Sequence, residues 1–233
     1  VQRASRLMER QLDLVSSKLL SLDVQERGIH IYFDNEVSTV FDDEVSKNLN
    51  ITLKSGKTIQ ANAIVYAIGT QPNIKIAKEN GIVCGRGIKV NKHLQTNFSN
   101  IFAIGEIAEF ENQLFGITSA AEEQAAILSN FILGDISSTY SGSVLMNILK
   151  FKDLELCSIG DIIIPENEEG YEEIVFTDLS RRYYKKCIVK DDLLIGAVLM
   201  GDKSEFAEFK SLIENKIELS EKRKSLVMGS SET

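Results

Sequence analysis

Within TNFSNIFAIGEIAEF, an apolar run at residues 101–104 stops on Gly105 and Glu106. Ligands of open α/β sheets gather at the carboxyl ends of strands, and this pair suits that place. A glycine lets a ligand chain lie against the backbone, and a carboxylate accepts hydrogen bonds from a polyol or sugar. Downstream, Ser119 and Glu122 form the S-x-x-E pattern of a helix cap, with Thr118 as a competing cap one residue earlier. A helix opening there would aim unpaired N–H groups and the positive end of its dipole at something electron-rich. Together these features point to one polar ligand able to carry negative charge. Taken singly, Gly105 and Glu106 also read as a turn with an exposed acid, and Thr118 and Ser119 as ordinary caps.

Other chemistries find little support in the residue inventory. Cys84, Cys157 and Cys187 lie far apart without CxxC spacing, which argues for free thiols in a reducing cytoplasm rather than a zinc cluster or local dithiol. The two histidines, His30 and His93, belong to no acid, base or nucleophile constellation, so no catalytic residue and no metal site are assigned. A net charge of −8 argues against a nucleic-acid or anionic-membrane surface and for a small-molecule or protein partner. No apolar run reaches the length of a membrane span and the start lacks a signal-peptide core, so a cytoplasmic location is expected. Arg181, Arg182, Lys185 and Lys186 read as a solvated strand edge guarded by charge, or less simply as a docking patch for an acidic redox protein.

The elements that must position these residues follow from periodicity. Leu12, Val15, Leu19 and Leu22 keep helical spacing up to Gly28. GIHIYF, EVSTVF, NITLK, KTIQA and AIVYAIG then read as strands, with Ser55 and Gly56 making a hairpin turn. The run at 63–68 does not alternate, as expected for a strand covered on both faces. QPNIKIAKENGI predicts a turn and short helix, GIKVNKHLQT a brief strand, NIFAI a second buried strand, and SAAEEQAAILSNFILG a long helix ending at Gly134. From Tyr140 several short strands predict a small strand-rich domain. A last helix places Phe206, Phe209, Leu212, Ile213 and Ile217 on one face, before a polar MGSSET tail.

AIVYAIGTQPN followed by TNFSNIFAIGEIAE resembles the second half of the pyridine nucleotide-disulfide oxidoreductase superfamily. The finer resemblance, through RLMERQLD and YSGSVLMNILKFKDLELCSIGD, is to the flavoprotein region of NAD(P)H nitrite reductase large subunits, with rubredoxin reductase-like proteins next. The resemblance implies an α/β fold: a partial two-dinucleotide-binding (FAD/NAD(P)) fold followed by a small strand-rich α+β C-terminal domain. It divides the chain into residues 1–70, the remainder of an NAD(P)H-binding domain; 71–137, the remainder of an FAD-binding domain; 138–203, a small C-terminal reductase domain; and 204–233, a terminal helix and tail.

It further implies FAD and NAD(P)H as cofactors, with Gly69 closing the nicotinamide domain, Gly105 and Glu106 at the ribityl chain, and Thr118 and Ser119 facing the isoalloxazine carbonyl. Glu106 is one methylene longer than the aspartate usual in the superfamily. Gln2, beside Arg3, stands where an acid commonly grips the nicotinamide ribose, a change that would relax discrimination against NADPH; a plain solvent-facing strand end reads equally well. No GxGxxG occurs, so both cofactor sites are expected to be incomplete in this chain, which reads as an inactive fragment of a nitrite reductase-type enzyme. Such a fragment, lacking strand neighbours, is expected to self-associate. The alternatives are an NAD(P)H rubredoxin or ferredoxin reductase and, in a different class, a cofactor-free interaction module.

Overall fold

The computed structural model describes residues 1–43, 47–151, 153–165 and 168–220, with Arg223 and Leu226. The chain opens with helix α1 (Leu14–Glu26) and an antiparallel meander of β1 (Val37–Asp43), β2 (Asn48–Leu53) and β3 (Thr58–Ala61). Helix α2 (Lys75–Glu79) and β4 (Ile88–Val90) follow, then a 3-10 turn (Gly105–Ile107), β5 (Ala108–Phe110), β6 (Gln113–Leu114) and helix α3 (Thr118–Ile132). Strands β7 (Met146–Phe151), β8 (Leu154–Gly160), β9 (Tyr171–Asp178), β10 (Tyr183–Lys190) and β11 (Leu193–Met200) precede helix α4 (Phe206–Glu214). The chain divides into two compact units, one of Val1–Tyr66 with Met146–Thr233 and one of Ala67–Leu145. The MGSSET tail lies outside the described residues.

The first unit is built on an antiparallel sheet in the order β7-β8-β11-β10-β9. The hairpins β7–β8, β9–β10 and β10–β11 pair strands that follow one another in sequence, whereas β8 pairs with β11 across the intervening hairpin. β10 runs between β11 and β9 and is buried from Tyr184 to Val189, which means both sheet faces are covered. Leu12 and Leu20 join Leu154, Leu156, Ile162, Tyr184, Ile188, Val198 and Met200 in one apolar cluster. Phe209, Leu212 and Ile213 of α4 are also buried, and α4 packs on β11 and β8. The predicted Ser55-Gly56 hairpin forms, with Gly56 N–H donating to the Leu53 carbonyl at 2.9 Å.

Helix α1 differs from the reading of its periodicity. Asp13 caps it, accepting from the Ser16 N–H at 3.0 Å, so the helix starts only at Leu14. Its buried side is Ser16, Ser17, Leu20 and Asp23, whereas Leu14, Val15 and Leu22 are exposed. Tertiary hydrogen bonds decide this face. Ser17 Oγ donates to the Leu7 carbonyl at 2.7 Å, and Asp23 accepts from Arg27 and Arg182, each at 2.8 Å.

The basic cluster does not stand together in solvent: Arg181 and Arg182 keep exposed side chains, but its two lysines are buried. Lys185 and Lys186 are 2% and 7% exposed and point to opposite sides of the sheet, where Lys185 pairs with Glu205, and Lys186 with Glu173 and with Asp13 at 3.7 Å. Arg182 pairs with Asp23 and Glu26, and Arg181 with Asp178.

In the second unit β4 and β5 pair in parallel and β5 and β6 antiparallel. Leu94, Phe110, Phe115, Ala120 and Tyr140 make its main cluster, with Phe110 and Phe115 edge-on to Tyr140. Three predicted strands are absent as strands. Residues 29–33 and 63–69 adopt no regular structure, and at 101–104 only Phe102 bridges, to Gln95. A buried parallel strand needs neighbours on both edges, and among the described residues none pairs with 63–69. Val65 and Ile68 there are 88% and 90% exposed.

Candidate functional site

The residues singled out in the sequence fall in the second unit, on three short segments. Gly69 and Thr70 follow the extended 63–68 run, and Gly69 holds φ at 87°. Gly105 opens the 3-10 turn at φ 77°, a left-handed value that favours glycine, and sends Glu106 outward into solvent. Glu106 Oε1 accepts a hydrogen bond from the Thr70 hydroxyl, so the two glycine turns meet at this carboxylate. A Cβ on Gly116, the residue before the α3 cap position, would sit 4.0 Å from the Glu106 side chain. The start of α3 is therefore drawn to the same place.

The expected cap is absent. Ile117 takes the cap position and makes no side-chain hydrogen bond, so Thr118 and Ser119 are the first two helical residues and no S-x-x-E box forms. Ile117 packs against the cluster around Phe115 and Tyr140, which turns the chain into the helix before either hydroxyl can cap it. The consequence favours a ligand. Among the described residues no side chain satisfies the first-turn N–H groups, and Thr118 and Ser119 are exposed.

Two contributors escaped the sequence reading. One is Thr70, whose only sequence signal is its place directly after Gly69. The other is Gln124, fully buried one turn beyond Ala120, whose Oε1 accepts the Gly105 N–H at 2.7 Å. A polar residue standing on the apolar stripe of α3 was the available signal. Nearby, the Tyr140 hydroxyl contacts Ser143 Oγ at 2.7 Å, and Ser143 donates to Glu123 at 2.6 Å. Burial raises the Tyr140 pKa, offset in part by Ser143 and Gln124.

Gln2 and Arg3 lie in the other unit. Gln2 N–H donates to the Tyr32 carbonyl at 2.8 Å, and the largely exposed Arg3 stands 4.0 Å from Glu36. No group of three or more metal-ligating side chains occurs among the described residues, and no helix among them is long and apolar enough to cross a membrane.

Chemically, the convergence offers an exposed carboxylate for hydroxyl donors, and unsatisfied helical N–H groups for an electron-rich partner. Gly69 adds open backbone, since a Cβ placed on it meets nothing within 4 Å. Such a donor set fits the ribityl and carbonyl chemistry of a flavin.

A profile of the pyridine nucleotide-disulphide oxidoreductase family matches residues 1–125, and one of the rubredoxin NAD+ reductase C-terminal domain matches residues 146–217. The chain is 34% identical over 228 residues to a nitrite reductase [NAD(P)H] of Bacillus subtilis (strain 168), covering 98% of this chain and 28% of that protein. It is 27% identical over 208 residues to an NADH-rubredoxin oxidoreductase of Clostridium acetobutylicum, covering 89% and 49%. The chain thus spans between a quarter and a half of the length of these relatives. A ferredoxin reductase from Rhodopseudomonas palustris superposes with a TM-score of 0.79 over 93% of this chain and 53% of its own, at 19% identity. At that identity the likeness concerns the fold alone.

Proposed function

Because the chain belongs to the pyridine nucleotide-disulphide oxidoreductase family, we propose that it supplies part of an FAD-dependent NAD(P)H oxidoreductase that passes electrons from NAD(P)H through FAD to an acceptor. The carrying observation is the exposed Glu106 carboxylate, set on a left-handed glycine turn beside Thr70 and next to the uncapped start of α3. In this reading residues 1–70 complete the nicotinamide domain, 71–137 the flavin domain, and 138–203 form a small reductase domain ahead of the segment 204–233.

Bound flavin would supply hydride acceptance and electron release. The chain's own residues bind and tune. Glu106 would accept from the ribityl hydroxyls, and Gly69 and Gly105 would let the ligand approach the backbone. The first-turn N–H groups at Thr118 and Ser119 would favour negative charge on the ring carbonyl side. For the acceptor we favour a nitrite reductase-type system, on the similarity to nitrite reductase. A rubredoxin or ferredoxin reductase is the second reading, favoured by the match of residues 146–217 to a rubredoxin reductase domain. The exposed Val65, Tyr66 and Ile68 support a surface covered by further chain or by a second copy, which light scattering distinguishes.

The test is an anaerobic flavin titration of the intact protein that carries this chain. Stoichiometric FAD uptake, bleaching by NADH or NADPH, and weaker binding in Glu106→Ala are expected. Losing a hydrogen bond to a charged acceptor is worth about 1.5–3 kcal/mol, or roughly ten- to a hundredfold in Kd. Absence of flavin uptake would overturn the reading and leave the interaction module in its place.

A further inference from the structure

We infer that Gln124 is a positioning residue, whose side-chain carbonyl tethers the Gly105 turn and thereby fixes where Glu106 presents its carboxylate. The inference rests on the flavin reading above. Three observations carry it. Gln124 is completely buried, and its Oε1 accepts the Gly105 N–H at 2.7 Å. Its Nε2 is buried beside the Tyr140 hydroxyl but makes no well-aligned hydrogen bond to it or to any other described residue. Gly105 holds φ at 77° and opens the 3-10 turn that carries Glu106.

An amide left half-satisfied inside a protein is costly, and a leucine would fill the same volume without that cost. Packing alone therefore does not account for a glutamine here. What the glutamine adds is the tether. A glycine moves readily between left- and right-handed regions, so its conformation needs an outside restraint if the next side chain is to point one way. α3 supplies that restraint through the Gln124 carbonyl. The helix whose first turn lies beside Glu106 is thus the helix that sets the turn carrying it.

Two readouts test this. Amide exchange at Gly105, followed by NMR in the 233-residue chain, needs no flavin: Gln124→Leu should speed it by about tenfold, and Gln124→Glu, which keeps an acceptor, should restore protection. In the intact protein, Gln124→Leu should weaken FAD binding about tenfold in the wild-type background and have no effect beside Glu106→Ala, as expected of residues acting through one another. Unchanged exchange at Gly105 overturns the inference irrespective of flavin. Equal weakening of FAD with and without Glu106 overturns it too, since Gln124 would then act through packing. If exchange responds but the wild-type protein binds no flavin, the flavin reading falls and the positioning role falls with it, leaving a conformational tether alone.

Discussion

The buried pair Lys185–Glu205 gives a sharp test of how the strand-rich unit holds together. Their side chains are 3% and 11% exposed, with the Lys185 ammonium 6.0 Å above the Phe209 ring. Breaking a buried pair by removing one partner costs about 3–5 kcal/mol, because the remaining charge is stranded. Here Glu205→Gln should fall near the lower end, about 3 kcal/mol. The Asp202 carboxylate feels Lys185 and would keep part of the compensation, although its first partner is the Ser204 N–H at 2.8 Å. Lys185→Met should cost less than Glu205→Gln, since Glu205 sits at the α4 cap position, where the helix dipole favours a carboxylate. Replacing both, Lys185→Met with Glu205→Leu, should bring stability back to within about 1 kcal/mol of wild type. The assay is urea unfolding followed by circular dichroism. With a slope of about 2 kcal/mol/M, the single Glu205→Gln variant should lose roughly 1.5 M of its midpoint and the double variant under about 0.5 M. A single variant indistinguishable from wild type, or a double variant as weak as the single, would refute the claim that this charge pair is energetically buried.

Two further outcomes follow from the same unit. Burial opposes ionisation of Asp13, but hydrogen bonds from Ser16 and Tyr184 and the Lys186 charge outweigh it and hold the carboxyl below its ordinary value. A depressed folded-state pKa stabilises above the unfolded value near 3.9 and is lost as pH falls through the folded one. Asp13→Asn should therefore flatten acid unfolding below about pH 4, whereas Tyr184→Phe should shift the Asp13 titration upward, both readable by NMR and circular dichroism. Burial also pushes the Cys157 and Cys187 thiols up to about 12, leaving a thiolate fraction on the order of 10⁻⁴ at pH 8. A thiol reagent should label Cys84 alone in the native chain and all three cysteines in denaturant; rapid labelling of three would contradict the burial of the sheet.

What could be read in advance, and what could not, divides along the range of the interactions involved. The β7 to β11 strands and the Ser55-Gly56 hairpin were legible, because for all but the β8–β11 pairing the partner of each strand lies next to it in sequence. The runs at 63–69 and 101–104 have the composition of buried parallel strands, yet composition states only that partners are required, and pairing is a separate, non-local event. Helix α1 misled for a related reason. Ser17 and Asp23 are buried through an acceptor at Leu7 and a donor at Arg182, contacts that periodicity cannot see. Lys185 and Lys186 misled through their charge alone: a lysine stem packs well in a sheet once Glu205, Glu173 and Asp13 neutralise its end.

At the candidate site the same division has functional content. Glycine next to a carboxylate was visible in the sequence, but the direction of that carboxylate depends on Gln124 from one side and Thr70 from the other. The failed cap adds to this. Had Ser119 capped α3, its hydroxyl would have consumed an N–H group that a ligand could use, whereas Ile117, anchored in the apolar cluster, leaves the first turn open. The local sequence preference for a capped helix is thus overridden at the point where the proposed flavin would bind, and that conflict between local preference and tertiary packing is what a binding site, rather than a stability element, would be expected to retain.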